Sequence, residues 1–157
     1  MEFKIRLAKK SDMPAVLELI NELAAFEKEP NAVEVTVGHL EKYGFSEHAL
    51  FKCFVAETDD EIVGMALFYP RFSTWKGETI HLEDLIVKEQ HRGEGIGKSL
   101  LEAVIMYAQR HETKRVEWVV LDWNKSAIKF YENYGAIVHK EWRTVQLNEN
   151  EIRNFKA

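Results

Sequence analysis

Residues Thr79 to Glu112 read TIHLEDLIVKEQHRGEGIGKSLLEAVIMYAQRHE. An apolar strand, Leu82 to Val87, leads into a glycine-rich turn, Arg92-Gly93-Glu94-Gly95-Ile96-Gly97, and then into an amphipathic helix. In the helix Leu100, Leu101, Val104, Ile105 and Ala108 recur at helical spacing. A strand that feeds such a turn into a helix start aims unpaired backbone N–H groups and the positive end of the helix dipole at one point. Anions bind at such points, phosphates above all. Two phosphate loops with this layout fail on spacing. A Walker A loop ending in Gly97-Lys98-Ser99 needs its first glycine where Arg92 stands, and the dinucleotide fingerprint G-x-G-x-x-G does not match glycines at every second residue. A plain glycine-rich connection is the alternative that the turn by itself leaves open.

Working outward, a chain of 157 residues with 46% hydrophobic and 30% charged residues suits one soluble domain spanning 1–157. The first apolar run, MEFKIRLAKK, carries charges and reads as a strand, not a signal peptide. No apolar run approaches a membrane span, so no membrane partner is expected. The single cysteine, Cys53, forms no internal disulfide framework and agrees with a reducing, cytoplasmic setting. A net charge of −5 argues against general nucleic-acid binding and permits a cationic substrate. No His, Cys or carboxylate spacing forms a metal site, so no metal is expected.

The remaining elements follow from periodicity and punctuation. A strand is expected at Phe3 to Leu7, then a helix capped by Ser11 with Pro14 in its first turn and Val16, Leu17, Leu19, Ile20, Leu23 and Ala24 inward. Thr36 caps a short helix ending at Gly44. Strands at Phe51 to Ala56 and Ile62 to Tyr69 flank the polar break Asp59-Asp60-Glu61. After the central stretch come a strand at Val116 to Leu121, a helix from about Ser126 to Tyr134 ended by Gly135, and a last strand near Ala136 to Leu147. The order β-α-α-β-β-β-α-β-α-β is mixed α/β with a partly antiparallel sheet flanked by helices.

The glycines do fit R-x-x-G-x-G, at Arg92, Gly95 and Gly97, and this resembles the acetyl-CoA pyrophosphate loop of the GNAT acyltransferases. The element order, Asn124, Phe130-Tyr131 and Gly135-Ala136 resemble the same fold. Within it the chain is similar to the spermidine/spermine N-acetyltransferases and the thialysine N-epsilon-acetyltransferases. IRLAKKSD (Ile5 to Asp12), ELAAFE (Glu22 to Glu27), LEDLIV (Leu82 to Val87), RGEGIGKSLL (Arg92 to Leu101) and DWNKSAIKFYENYGA (Asp122 to Ala136) fall in register with that subfamily over essentially the full length.

The resemblance implies a set of roles. The loop, Arg92, Gly93, Glu94, Gly95, Ile96, Gly97, Lys98 and Ser99, would hold the diphosphate of acetyl-CoA, with Arg92 and Lys98 adding charge at its rim. Main-chain groups of Leu85, Ile86 and Val87 would hold the pantetheine arm as an added strand. An amine with a pKa of about 10 arrives as ammonium and must lose a proton before it attacks a thioester. Glu83 matches the general-base position, acting through water. Tyr131 matches the general acid that protonates the leaving thiolate, and Asn124 caps its helix, contacts the donor, or does both. The acceptor positions are Glu27, Trp75, Glu141 and Trp142, acidic and aromatic groups suited to a polycation. Neighbours in a strand point to opposite faces, so only one of Glu83 and Asp84 should face the amine unless a bulge breaks the alternation.

Ser73 stands where the polyamine enzymes carry an acidic residue, and Lys28-Glu29-Pro30-Asn31 is less acidic than their pattern. Both departures shift weight toward a shorter amine such as thialysine, lysine or a small diamine. The expected activity is direct, metal-free acetyl transfer from acetyl-CoA to a small cationic amine by a homodimer. Two alternatives stand beside it: an amino acid or protein amine as acceptor, and an acyl-CoA-binding module without turnover.

Overall fold

The computed structural model describes residues 2–59 and 61–156. The chain forms two compact units, Met1–Val119 and Val120–Ala157.

The first unit is built on a sheet of five strands, β1 (Lys4–Leu7), β2 (Lys52–Glu57), β3 (Ile62–Ser73), β4 (Gly77–Val87) and β5 (Val116–Glu117), hydrogen-bonded in chain order. The first four are antiparallel and β5 joins β4 in parallel, so the sheet is mixed as the element order predicts. Helices α1 (Met13–Phe26), α2 (Val37–Phe45) and α3 (Ile96–Arg110) accompany it. Met13, Val16 and Leu19 of α1 and Leu40 of α2 pack with Cys53, Val55, Met65, Leu67 and Ile86 in one core. On the other face Tyr107 of α3 meets Phe68 edge-on at 4.9 Å. Gly64 is where β3, β4 and α3 close most tightly: a Cβ there would lie 2.9 Å from the Ile86 carbonyl oxygen and 3.2 Å from a Leu100 methyl.

The second unit holds α4 (Lys125–Glu132) and α5 (Glu149–Arg153). Asn124 caps α4 by accepting a hydrogen bond from Ala127 N at 3.3 Å, and Gly135, with φ of +82°, turns the chain beyond it.

Several boundaries depart from expectation. Ser11 does not cap α1; Lys10–Asp12 is a 3₁₀ turn running into the helix, and Asp12 stands at the cap position. The cause is long-range, since Arg6 of β1 forks onto Asp12 at 2.6 Å and onto Glu57 of β2 at 2.6 Å. Thr36 caps α2 as expected, but the helix runs on to Phe45. In α3 the residues facing inward are Ile96, Leu100, Leu101, Ala103, Val104 and Ala108, and Ile105 faces out. The hairpin of β3 and β4 is longer than its apolar runs, reaching Ser73 and Gly77. Conversely β5 is two residues long, because it pairs with β4 only at Ile80↔Val116 and His81↔Glu117. The last strand, expected at 136–147, is not formed: no residue there joins a ladder, and alternation without a hydrogen-bonding neighbour does not make a strand. Helix α5 follows it instead, capped by Asn148, whose side chain accepts from Asn150 N and Glu151 N. Asp60, in the expected polar break, lies outside the described residues.

Candidate active site

The first unit carries a cluster of carboxylates on the α1 face of the sheet, created by one irregularity. Leu67 of β3 pairs with Asp84 and Phe68 pairs with Leu82, so Glu83 is an extra residue in β4, a β-bulge. The row Cys53↔Leu67↔Asp84 therefore shares a face with the core around α1, to which Cys53 and Leu67 belong. His81 and Glu83 have the same parity and the bulge adds Asp84, so both neighbouring carboxylates lie on one face. Regular alternation would have separated them. The condition attached to Asp84 in the sequence is met.

Electrostatics records their proximity. Burial, then the charges of Glu83 and Glu27, raise the Asp84 pKa to about 6. Burial also raises that of Glu27, the residue that closes α1. The Tyr69 hydroxyl donates to Glu83 Oε2 at 2.7 Å, and burial followed by this bond pushes its pKa up to about 12. Tyr69 thus stays protonated as a donor at neutral pH. His81 stacks on Tyr69 with ring centres 5.3 Å apart, and its Nε2 lies 3.6 Å from Glu83 Oε2. Burial, with the Asp84 and Asp12 charges behind it, holds Cys53 as a neutral thiol.

Beside this cluster, β4 beyond His81 pairs with β3 on one side only. Main-chain groups of Leu82–Val87 on the opposite edge are left without a ladder partner among the described residues. The turn after β4 has the form its glycines predict. Gly93 and Gly95 have φ of +84° and +86°, the left-handed region that glycine adopts without strain, and Gly95 is the cap of α3. A Cβ at either glycine would meet nothing within 4 Å, so the turn faces open space. Ser99 N bonds to Gly95 O at 3.0 Å, which leaves the amides before it directed outward.

Arg92, expected to add charge at the rim of that turn, is engaged with Val87 and the end of α1. Its Nε donates to Val87 O at 3.1 Å, its guanidinium lies 3.9 Å from Glu22, and it sits over the Phe26 ring at 5.3 Å. It ties the turn to the end of α1. Lys98 is exposed and lies 3.9 Å from Glu102.

The other expected site residues lie on other elements. Trp75 tops the β3–β4 hairpin, 81% exposed. It is remote from Glu83, since the strand from Gly77 to Glu83 spans about 20 Å at ~3.3 Å per residue. Ser73 serves its own turn, its Oγ accepting from Trp75 N at 3.3 Å and Lys76 N at 3.2 Å. In the second unit Tyr131 lies half-buried on α4, its ring 5.4 Å from that of Phe130. Glu141 and Trp142 are exposed, and Glu141 lies 3.4 Å from His139. Tyr69 and His81 were not singled out from the sequence. The signal was their odd-numbered register with Glu83, legible only once the β3–β4 pairing is known.

The Acetyltransferase (GNAT) family model matches residues 14–136. The chain belongs to the GNAT acetyltransferases. The bovine thialysine N-epsilon-acetyltransferase is 39% identical over 140 residues, covering 84% of this chain and 82% of that protein. The human spermidine/spermine N(1)-acetyltransferase-like protein 1 is 32% identical over 160 residues, covering 96% of this chain but only 23% of the relative's length. Among solved structures, a Vibrio cholerae integron cassette protein superposes with a TM-score of 0.79 at 26% identity, covering 98% of this chain and 96% of the other. No group of His, Cys, Asp and Glu among the described residues is placed to hold a metal ion. No described helix is long and apolar enough to cross a membrane.

Proposed function

We propose that this GNAT enzyme moves an acetyl group from acetyl-CoA to a primary amine of a small cationic acceptor, a diamine, polyamine or lysine-like amine, by direct attack in a ternary complex. The observation that carries this reading is the β-bulge at Glu83, which gathers Glu83 and Asp84 on one face within reach of the Glu27 charge. Three carboxylates attract an ammonium group, and one of them can take its proton.

The residues fit the co-substrate. Open amides of the Gly93–Lys98 turn suit two phosphates, and the edge of β4 at Leu85, Ile86 and Val87, which β5 does not reach, suits a pantetheine arm. Acetyl-CoA supplies an activated thioester; the protein orients the amine, removes its proton and stabilises the leaving group. Glu83 is the proposed base, held by the Tyr69 hydroxyl so that one carboxylate oxygen is fixed. Family resemblance supports Tyr131 as the proton donor to the thiolate. The family match runs through both compact units, which supports reading 1–157 as one acetyltransferase domain. The resemblance also supports a homodimer, and the single cysteine agrees with a reducing, cytoplasmic setting.

Ser73, engaged in its own turn, favours a short acceptor over a long polyamine. A free-thiol assay with acetyl-CoA over thialysine, lysine, short diamines and spermidine tests the reading. Release of thiol with short amines preferred is expected; inactivity on every one would overturn it. Tyr131→Phe should lower kcat at least ten-fold while leaving thermal unfolding unchanged. An equal kcat would remove Tyr131 from the chemistry.

A further inference from the structure

Helix α1 ends beside the carboxylate cluster without the glycine that such an end commonly uses. Lys28 takes the left-handed position, with φ of +67°, while its N–H bonds to Ala25 O at 3.1 Å and Glu29 N bonds to Ala24 O at 2.8 Å. Those bonds close the helix, but a residue with a side chain is strained there. An end of this kind gains from a hold outside the helix, and its last turn leads into Glu27, whose charge acts on Asp84. Arg92 supplies the hold. Its Nε donates to Val87 O at 3.1 Å, which fixes the side chain against β4. Its head then reaches α1 twice: Nη2 lies 3.9 Å from Glu22 Oε1, and the guanidinium stands 5.3 Å from the centre of the Phe26 ring. Glu22 is tied to the same place, since its Oε1 accepts from Glu89 N, just beyond β4, at 3.1 Å. Glu22 and Phe26 are four residues apart, on one face of α1, and Phe26 directly precedes Glu27. A Cβ at Gly95 would meet no atom within 4 Å, so the Arg92 head does not lie over the cap of α3.

We infer that Arg92 serves the acceptor and not the coenzyme: it is a positioning residue that sets the end of α1, and with it Glu27, against β4. The inference rests on the reading of Glu27, Glu83 and Asp84 as the site of a cationic amine. Two ways of acting predict opposite signs for its removal. An arginine that acted through its charge alone would repel an ammonium group, so its loss would tighten the acceptor. An arginine that sets Glu27 in place weakens the acceptor when lost, because one of the three attracting carboxylates then wanders with the helix end. Guanidinium suits the second role, since its plane can rest on the Phe26 ring while Nε donates to a carbonyl, a combination that a lysine ammonium does not offer.

The test compares Arg92→Ala and Phe26→Leu, singly and together, in steady-state kinetics with acetyl-CoA and a short diamine, in calorimetry with coenzyme A, and in amide hydrogen exchange, with thermal unfolding as the control for folding. Arg92→Ala should raise KM for the diamine at least five-fold while Kd for coenzyme A stays within two-fold. Phe26→Leu should move the same constant in the same direction. The double variant should exceed the larger single effect by less than two-fold, because both substitutions remove one contact. Without any substrate, the Lys28 and Glu29 amides should exchange at least five-fold faster in Arg92→Ala. A diamine KM that is lowered or unchanged, a coenzyme Kd weakened more than the diamine KM, or exchange indifferent to Arg92→Ala would each overturn the assignment. Acetylation of the diamine with an unchanged KM in Arg92→Ala removes this assignment alone; a wild-type protein that acetylates no amine removes the amine reading and the assignment with it.

Discussion

Asp84 illustrates at the residue scale how a proposed binding group is held against stability. Its carboxyl ionises at about 6 in the fold, raised from 3.8 by burial and by the charges of Glu83 and Glu27. Between those values the folded chain holds a proton that the unfolded chain has lost, so stability falls as pH rises through that window. Well below 3.8 both states are protonated and the penalty is absent; above about pH 6 it is fully present, on the order of 2 to 3 kcal/mol. Asp84→Asn should therefore stabilise the protein by about 1 to 3 kcal/mol at pH 8 and leave it unchanged at about pH 3, as read by urea unfolding at the two pH values. It should also raise KM for a dicationic acceptor several-fold. A variant no more stable at pH 8 than the wild type would show that the Asp84 charge is not strained.

At the scale of elements, the turn into α3 separates two uses of glycine. Gly95 needs its left-handed φ of +86°, whereas Gly97 lies inside the helix, where an added Cβ would make only an ordinary 3.6 Å contact with Val87. Gly95→Ala should lose about 1 to 2 kcal/mol of stability and weaken coenzyme A binding. Gly97→Ala should unfold at the wild-type temperature yet bind coenzyme A at least five-fold more weakly by calorimetry, because the methyl group blocks approach to the amides. Undiminished binding in Gly97→Ala would remove the phosphates from that face. This loop and α3 were legible in the sequence because their determinants are local: glycine spacing, a helical apolar stripe and a preceding strand. The same holds for Thr36 and Asn124 as caps. What the sequence concealed depends on partners remote in the chain. Arg6 takes Asp12 and thereby shifts the start of α1, the hairpin register creates the bulge at Glu83, and the segment 136–147 finds no ladder. Glu83 could thus be named from its motif, but its companionship with Asp84, Tyr69 and His81 could not. Helix α5 was within reach, since Asn148 followed by Glu149 and Glu151 is a helix-start signal.

For the whole molecule, 26 acidic against 21 basic side chains leave a net charge of −5. The proposed substrates have opposite charges, a cationic amine and an anionic coenzyme, so the protein's field should treat them oppositely. On the proposed reading the amine would be drawn toward Glu27, Glu83 and Asp84, a concentration of one sign on one face. The coenzyme would meet a turn that offers backbone amides, while Arg92 and Lys98 are each matched by a glutamate, Glu22 and Glu102. Its binding would then depend on fixed dipoles more than on net charge. The Debye length falls from about 30 Å at 0.01 M salt to under 8 Å above 0.15 M, which removes long-range steering but leaves short contacts largely intact. Raising sodium chloride from about 10 to 300 mM should lower kcat/KM for a dicationic acceptor at least three-fold, while kcat/KM for acetyl-CoA stays within two-fold or rises. Parallel decline of both constants would mean that salt acts on a shared step. It would also detach the carboxylate cluster from recognition of the amine.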